Sequence, residues 1–271
     1  MTDIIQSNSS RVKLKASVVS VSALTDADRE RMFELMRSYY DSVRGEKFLS
    51  DLSNKNDVIL LRDRAGIIYG FSTLGIVQLK MGGKTLRGVF SGDTVIDRAF
   101  WGGRALGKAF LRYLFFQKLR HPFGPLYWLL ISKGYKTYLM MANNFSEHYP
   151  RYDRPTPPDA KALMDAFYSA LFSSDYDPKA GVIRTGEMDR LKAGVAEISE
   201  ELAGSNPRIA FFQRSNPHWR EGIELACIAR MTLWMPALYA TKVFFIDRAL
   251  GPVCRFIRVA SPRAKKERTI E

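Results

Sequence analysis

The sequence predicts an α/β (α+β) domain in which a mostly antiparallel sheet is flanked by helices, and three observations lead there. Residues 57–63 and 67–74 are extended apolar runs around a turn at 64–66, which together read as a hairpin. Residues 88–96 form a strand that passes through a glycine- and arginine-rich turn into a long helix at 105–119, and then a second strand at 126–132. Apolar side chains at Met32, Phe33, Leu35, Met36, Tyr39 and Tyr40, and again at Ala162, Leu163, Ala166, Phe167, Ala170 and Leu171, recur at helical spacing. The 271 residues, 46% of them hydrophobic, suffice for one large core. The expected organisation is a flexible N-terminus (1–16), a principal domain (17–230), an apolar and basic helical extension (231–260) and a disordered basic tail (261–271).

In chain order, 18–22 is a first strand. Thr25-Asp-Ala-Asp28 has the form of a capping box, which satisfies the first amides of the helix it opens. After the hairpin, 75–80, a turn at 81–84 and 85–96 continue an antiparallel meander. Strict alternation along 88–96 puts Ser91, Asp93 and Val95 on one face and Phe90, Gly92, Thr94 and Ile96 on the other. The helix at 105–119 is broken by His121-Pro-Phe-Gly-Pro125; 133–143 is a further helix, 151–158 a proline-rich crossing, and 159–172 a helix. Residues 186–202 read as a polar, solvated helix, and 209–213 and 224–231 as two closing strands around a loop.

The chemistry is concentrated in 88–145. Between Arg98 and Ser146 there is no Asp or Glu, while Lys and Arg occur eight times, at Arg98, Arg104, Lys108, Arg112, Lys118, Arg120, Lys133 and Lys136. The turn delivers glycines to a helix start, where unpaired N–H groups and the positive end of the helix dipole favour an anion and glycine lets a diphosphate approach the main chain. The whole chain points the same way, since 41 Lys and Arg against 28 Asp and Glu give +13. The expected partners are therefore anionic: coenzyme A, an acyl carrier protein or an anionic membrane surface. Nucleic acid is the weakest of the anionic classes, because no finger, helix-turn-helix or aromatic-basic strand signature is present. Two cysteines and three scattered histidines suggest neither a disulfide framework nor a metal site. Residues 1–16 are polar and mixed, unlike a signal peptide, so the expected location is the cytoplasm or the inner face of its membrane.

Arg104-Ala-Leu-Gly107-Lys-Ala109 fits the pattern Gln/Arg-x-x-Gly-x-Gly/Ala at a helix start after a strand, and here the sequence resembles the GCN5-related N-acetyltransferases (GNAT). A second register, in which Leu106-Gly-Lys-Ala-Phe-Leu111 stands for the family's Ile-Gly-x-x-Leu-Leu run, puts Gly102 at the Gln/Arg position. The hairpin, with its Gly70-Phe71 pair, is similar to the family's second and third strands; 126–132 and 133–143, ending near Asn144-Phe145, look like its fifth strand and fourth helix. The resemblance covers roughly 20–150, with an extension to 230. It implies a central mixed sheet, acyl-CoA as co-substrate without a metal, and direct transfer to an amine acceptor. In that mechanism a main-chain N–H stabilises the oxyanion and a tyrosine protonates the departing thiolate.

The same resemblance implies the site. Cofactor binding falls to Val95, Gly102, Gly103, Arg104, Ala105, Leu106, Gly107, Lys108 and Ala109. Asp93, an acid in an apolar strand beside the turn, stands where the family often places a carboxylate base, and burial would raise its pKa into a useful range. Met140 occupies the family's tyrosine position, which leaves Tyr138 on the same helix as general acid. His148, in the polar stretch 143–150, is a third catalytic candidate, as base or acceptor contact.

The C-terminal segment adds a lipid signal. Residues 231–259 are apolar and aromatic but interrupted by Pro236, Lys242, Asp247, Arg248 and Pro252, so no run reaches the roughly 20 apolar residues that span a bilayer. Between Arg230 and Glu271 nine Lys and Arg face three acids. Such a segment suits a helix lying in an anionic membrane interface, or else one closing the core or an oligomer contact. With Phe110, Tyr113, Leu114, Phe115 and Phe116 of the motif helix, it favours a lipidic acyl chain or acceptor, as in ceramide-synthase-like proteins that acylate a sphingoid amine. Acetylation of a small polar amine and a non-catalytic acyl-CoA-binding module are the alternatives.

Overall fold

The computed structural model describes residues 12–185 and 190–235. The chain divides into two units, 1–233 and 234–271, and the fold below is that of the first. Of the helical extension expected over 231–260, Met231 belongs instead to a strand, and 236–260 and the basic tail 261–271 lie outside the described residues.

β1 (Lys15–Ser20) leads through a short 3-10 turn into α1 (Asp26–Tyr39). Both halves of the capping box are formed: the Asp28 N–H donates to the Thr25 hydroxyl and the Thr25 N–H to the Asp28 carboxylate. β2 (Tyr40–Asp41), α2 (Gly45–Ser53), β3 (Asp57–Arg62), β4 (Ile68–Met81) and β5 (Lys84–Ile96) follow. Beyond the glycine turn come α3 (Ala105–Arg120), β6 (Leu126–Ser132), α4 (Tyr135–Asn144), β7 (His148–Tyr149) and α5 (Pro158–Phe172). β8 (Tyr176–Asp177), β9 (Val182–Ile183), β10 (Arg190–Leu191), α6 (Glu200–Ser205), α7 (Pro207–Ser215) and β11 (Glu224–Met231) complete the unit.

Among the described residues nine strands form one sheet in the order β1-β3-β4-β5-β6-β11-β9-β8, with β7 also paired to β11. Its pairings are antiparallel except β5 with β6. That exception follows from α3, because a strand–helix–strand crossover returns the chain in the same direction. On one face α1 and α2 bury Met32, Leu35, Phe48 and Leu52 against Val58, Leu60 and Phe71, while α5 buries Phe167 and Tyr168 against Phe90, Leu129 and Ile228. On the other face α3 packs Phe110 against Trp128, ring centroids 4.6 Å apart.

Three expectations are corrected here. β1 begins at Lys15, inside the segment expected to be flexible. Residues 209–213 lie in α7 rather than in a strand. Asn206 accepts the Arg208 N–H and Pro207 fills the first helical position, which together start a helix, and Ile209 and Phe212 then bury one face. The polar helix expected over 186–202 is absent over 190–199, where Arg190–Leu191 pair with Tyr40–Asp41 and Gly194 turns the chain at φ +78°, and a helix starts only at Glu200.

Candidate functional site

β5 and β6 run side by side from Arg87 opposite Leu126 to Ser91 opposite Leu130, and then part. β5 continues to Ile96 and β6 to Ser132, each still held from outside, β5 by β4 and β6 by β11. The result is a slot between two fixed strands. Main-chain groups facing it have no ladder partner there, and such groups need a hydrogen-bonding occupant. The Asp97 N–H donates to the Tyr69 carbonyl at 2.7 Å, and the Trp101 indole N–H to the Ile96 carbonyl at 2.8 Å. By the two-residue alternation of an antiparallel ladder, Val95 turns its amide towards β4, whereas Thr94 and Ile96 turn theirs to the slot. Val95, expected to bind the cofactor, thus turns its amide away from the slot, and its side chain lies in the core under α1 and α2.

A β-bulge decides what faces the opening. Ser72 stands opposite Thr94 but Leu74 opposite Ser91, so Thr73 faces both Gly92 and Asp93. Ser91 Oγ accepts the Trp128 indole N–H at 2.8 Å on the α3 side, whereas Val95 joins Phe71 on the opposite side. The single face expected for Ser91, Asp93 and Val95 is therefore corrected: the bulge separates Ser91 from the other two and sets Asp93 in the field of Lys133 and Lys55. Gly92 is required by close approach, since an added Cβ would lie 2.7 Å from Thr73 Oγ1 and 3.0 Å from Lys55 Cε.

The surroundings of the bulge are charged. Burial raises the Asp93 carboxyl above the ordinary carboxylate range, with Lys133 and Lys55 opposing. Burial likewise raises Glu224, at the start of β11, with Lys133 opposing and Asp93 adding to the rise. Lys133 Nζ is 3.5 Å from Glu224 Oε1 and 5.5 Å from the Tyr40 ring centroid. Lys55 Nζ donates to the Asp51 carbonyl at 3.1 Å and lies 5.3 Å from the Phe90 ring centroid; burial lowers its pKa. Among the described residues Asp93 has no hydrogen bond and no ion pair within 4.0 Å.

The glycine turn ends in an open helix start. The first turn of α3 holds no acid and no side-chain cap, and the amides of Ala105, Leu106 and Gly107 precede the first helical bond, from the Lys108 N–H to the Arg104 carbonyl at 3.0 Å. Gly102 takes φ +78°, and the Gly103 N–H closes the turn on the Phe100 carbonyl at 3.1 Å. An added Cβ on Gly107 would meet nothing within 4 Å, so the approach is clear. Leu106 and Ala109 turn their side chains into the core. Lys136 Nζ stands 3.6 Å from the Trp101 ring centroid, and burial, then Arg98, lowers its pKa. Cations therefore frame the turn.

Tyr138 and His148, expected as catalytic, have structural partners instead. Tyr138 is fully buried, its hydroxyl donating to the Pro150 carbonyl at 3.2 Å and its ring 5.8 Å from that of Phe212. Burial raises its pKa far above the ordinary tyrosine value. His148 is buried in β7 with Nδ1 2.6 Å from the Phe145 carbonyl oxygen, and burial lowers its pKa. The sequence reading missed Lys55, Lys133 and Glu224 as site residues. Glu224 carried the signal that singled out Asp93, an acid within an apolar strand; Lys133 stood only among the cations of the acid-free stretch, and Lys55 carried no signal.

No protein-family model and no curated protein matches this chain. Solved structures that follow part of its course include a GNAT-family N-acetyltransferase of Escherichia coli in complex with CoA, at 13% identity over 49% of this chain and 69% of that one, with a TM-score of 0.35. An acetyltransferase of Trypanosoma brucei is similar at 20% identity over 51% of this chain and 96% of that one, TM-score 0.37. N-myristoyltransferase of Saccharomyces cerevisiae with bound myristoyl-CoA is similar at 15% identity over 44% of this chain and 29% of that one, TM-score 0.33.

Proposed function

We propose that this protein is an acyltransferase that moves an acyl group from acyl-CoA to an amine, on the plan of the N-acetyltransferase family its sequence resembles. The observation that supports this best is the slot between two parallel strands that part at Ser91 and Leu130, with an uncapped helix start beyond one of them. The main chain of Thr94 and Ile96 can hold the amides of a pantetheine arm as an added strand. The amides of Ala105, Leu106 and Gly107 then receive the diphosphate, with Arg98, Lys108 and Lys136 supplying positive charge. Gly102, Gly103 and Arg104 shape the turn, and Ala109 anchors the helix.

Asp93 takes a proton from the acceptor ammonium, directly or through a water. The free amine attacks the thioester carbonyl, and a slot-facing amide of β5 stabilises the oxyanion. As the C–N bond forms, the C–S bond breaks and its electron pair leaves on sulfur. A thiol titrates near pH ~8.5, so the thiolate departs without a dedicated acid; the nitrogen gives up its second proton to water as the amide forms, and the thiolate takes one up from water. Tyr138 has no part in this scheme.

A lipidic chain on donor or acceptor is the finer part of the proposal. It draws on 231–260 and on Phe116, Leu119 and Phe123, which are 54%, 47% and 101% exposed around the end of α3. Arg112 and Arg120 flank Phe116 at four-residue spacing, a combination that suits an anionic membrane surface. Among the described residues no helix is long and apolar enough to cross a membrane. The charged walls around Asp93 favour a second reading, acetyl transfer to a small polar amine.

Thermal stabilisation by free, acetyl-, octanoyl- and palmitoyl-CoA tests both. A ligand of the folded state at a hundredfold excess over Kd adds ~2.7 kcal/mol, a shift of several degrees. A shift that grows with chain length is expected for lipid acylation, and an equal shift favours acetylation. Absence of any shift overturns the donor assignment, and binding without turnover on any amine leaves a non-catalytic acyl-CoA-binding module.

A further inference from the structure

Among the described residues, the cleft beside the bulge holds two ion pairs and, beside them, one cation and one anion without a charged partner within 4.0 Å. Lys47 pairs with Asp51 at 2.9 Å, and Lys133 with Glu224 at 3.5 Å. Among the described residues Lys55 has no carboxylate within 4.0 Å; its one hydrogen bond goes to the Asp51 main-chain carbonyl, so most of its ammonium's donor capacity is unused. Among the described residues Asp93 has neither a hydrogen bond nor an ion pair. The two feel each other's charge without touching. Desolvated charges of this kind call for partners, because burying them unpaired is costly.

The packing keeps these two groups in place. Gly92 brings the backbone against Lys55 Cε and Thr73 Oγ1, and Thr73 Oγ1 is buried without a hydrogen-bond partner. Phe90 lies under the Lys55 ammonium, 5.3 Å from centroid to nitrogen, while the Lys55 stem passes beside Gly92 at the bulge. Asp93 extends from the next residue along. A cation and an anion too far apart to pair are thus set beside the same bulge.

We propose that the acceptor is zwitterionic, its ammonium received by Asp93 and an anionic group near it, a carboxylate or a phosphate, received by Lys55. This rests on the acyltransferase reading and adds the class of acceptor to it. A bare cationic amine would satisfy Asp93, leave Lys55 unpaired and meet the repulsion of Lys55 and Lys133. A zwitterion completes both open charges at once. An acceptor with such a head and a long apolar tail is served by the same pair. Lys55 is then a specificity-determining residue.

The test uses matched acceptors with acetyl- or palmitoyl-CoA, whichever stabilises the full chain more: leucine against 3-methylbutylamine, and phosphoethanolamine against ethanolamine. Released thiol reports turnover, and calorimetric titration of the same amines into CoA-saturated protein gives a readout that does not need turnover. The zwitterion of one pair should exceed its bare amine by ~10–100-fold in kcat/KM or affinity, the range of a charge-assisted hydrogen bond. The pair showing the gap distinguishes carboxylate from phosphate. Lys55→Met should abolish the gap, because the zwitterion loses its partner while the bare amine is relieved of the Lys55 repulsion, and Lys55→Arg should keep most of it. Equal handling of both members of each pair by the wild type, or an equal loss for both in Lys55→Met, overturns the proposal. Failure of every CoA thioester to bind would instead strike the acyltransferase reading itself.

Discussion

The two ends of β5 differ in almost everything except their shared neighbour β4. From Arg87 to Ser91 the strand is laddered on both sides, and Gly88 lies so close to Leu129 and Phe167 that an added Cβ would stand 2.7 Å from Leu129 Cδ1. From Gly92 to Ile96 it is laddered on one side only, bulged, and surrounded by Lys55, Lys133 and Glu224. Two local changes separate these behaviours: one extra residue against β4, and the departure of β6. The apolar end gains from closure. The charged end cannot be closed by another strand without burying Asp93 and Lys55 unpaired, so the same strand supplies scaffold at one end and desolvated charge at the other.

The largest effect should come from removing the carboxylate at the open end. Asp93→Asn is expected to lower kcat/KM by ~10²–10⁴, the range of general acid–base catalysis, with stabilisation by CoA unchanged. Its effect on stability has the opposite sign. Folded Asp93 has a raised pKa, so between the ordinary carboxylate pKa and the raised one the folded state binds the extra proton. Stability therefore falls as pH rises through that window, and the loss persists above it. Asparagine removes this penalty, so the melting temperature at pH 7 should be maintained or rise. Activity runs the other way, since the base must be ionised: wild-type kcat/KM should climb with pH through the raised pKa and then level. A fully active Asp93→Asn, or one that loses activity and CoA binding together, would erase the functional contrast between the two ends.

Two glycine substitutions measure the same contrast in stability. Gly88→Ala forces a methyl group into fully buried Leu129 and should cost ~1–3 kcal/mol in denaturant unfolding. Gly92→Ala meets Thr73 Oγ1 at 2.7 Å, a hydroxyl with no hydrogen bond to lose on turning about χ1, and the flexible far end of Lys55 at 3.0 Å, so its stability cost should be smaller. Its signature should be kinetic, a raised acceptor KM as Lys55 is displaced. If Gly92→Ala proves the more destabilising of the two, the bulge is a structural device and the division of β5 fails.

What sequence alone discloses follows the range of each signal. The capping box at Thr25, the hairpin around 64–66 and the glycine turn before α3 are written in consecutive residues, and the structure forms each of them. The bulge is not written in β5, because alternation assigns faces only along a regular ladder, and the residue that spoils it, Thr73, lies across the sheet. Lys55, Lys133 and Glu224 come from three elements with no common spacing. Ile209–Gln213 suits a strand or a helix by composition, and the contact of Phe212 with Tyr138 favours the helix. The preceding Asn-Pro pair was the local cue, and a β reading of the aromatics passed over it.

The smallest expected effect tests the corrected acid. Tyr138→Phe deletes a single hydrogen bond of 3.2 Å to the Pro150 carbonyl and keeps the ring against Phe211 and Phe212. Its cost should be ~0.5–1.5 kcal/mol in unfolding, the usual net value of one such bond. Because that hydroxyl is committed to a main-chain carbonyl within the core, kcat and its pH profile should not move. A fall of tenfold or more in kcat, with the melting temperature held, would return the tyrosine to the reaction. It would also mean that the thiolate does not leave unaided, so that the open end of β5 is not sufficient for the chemistry.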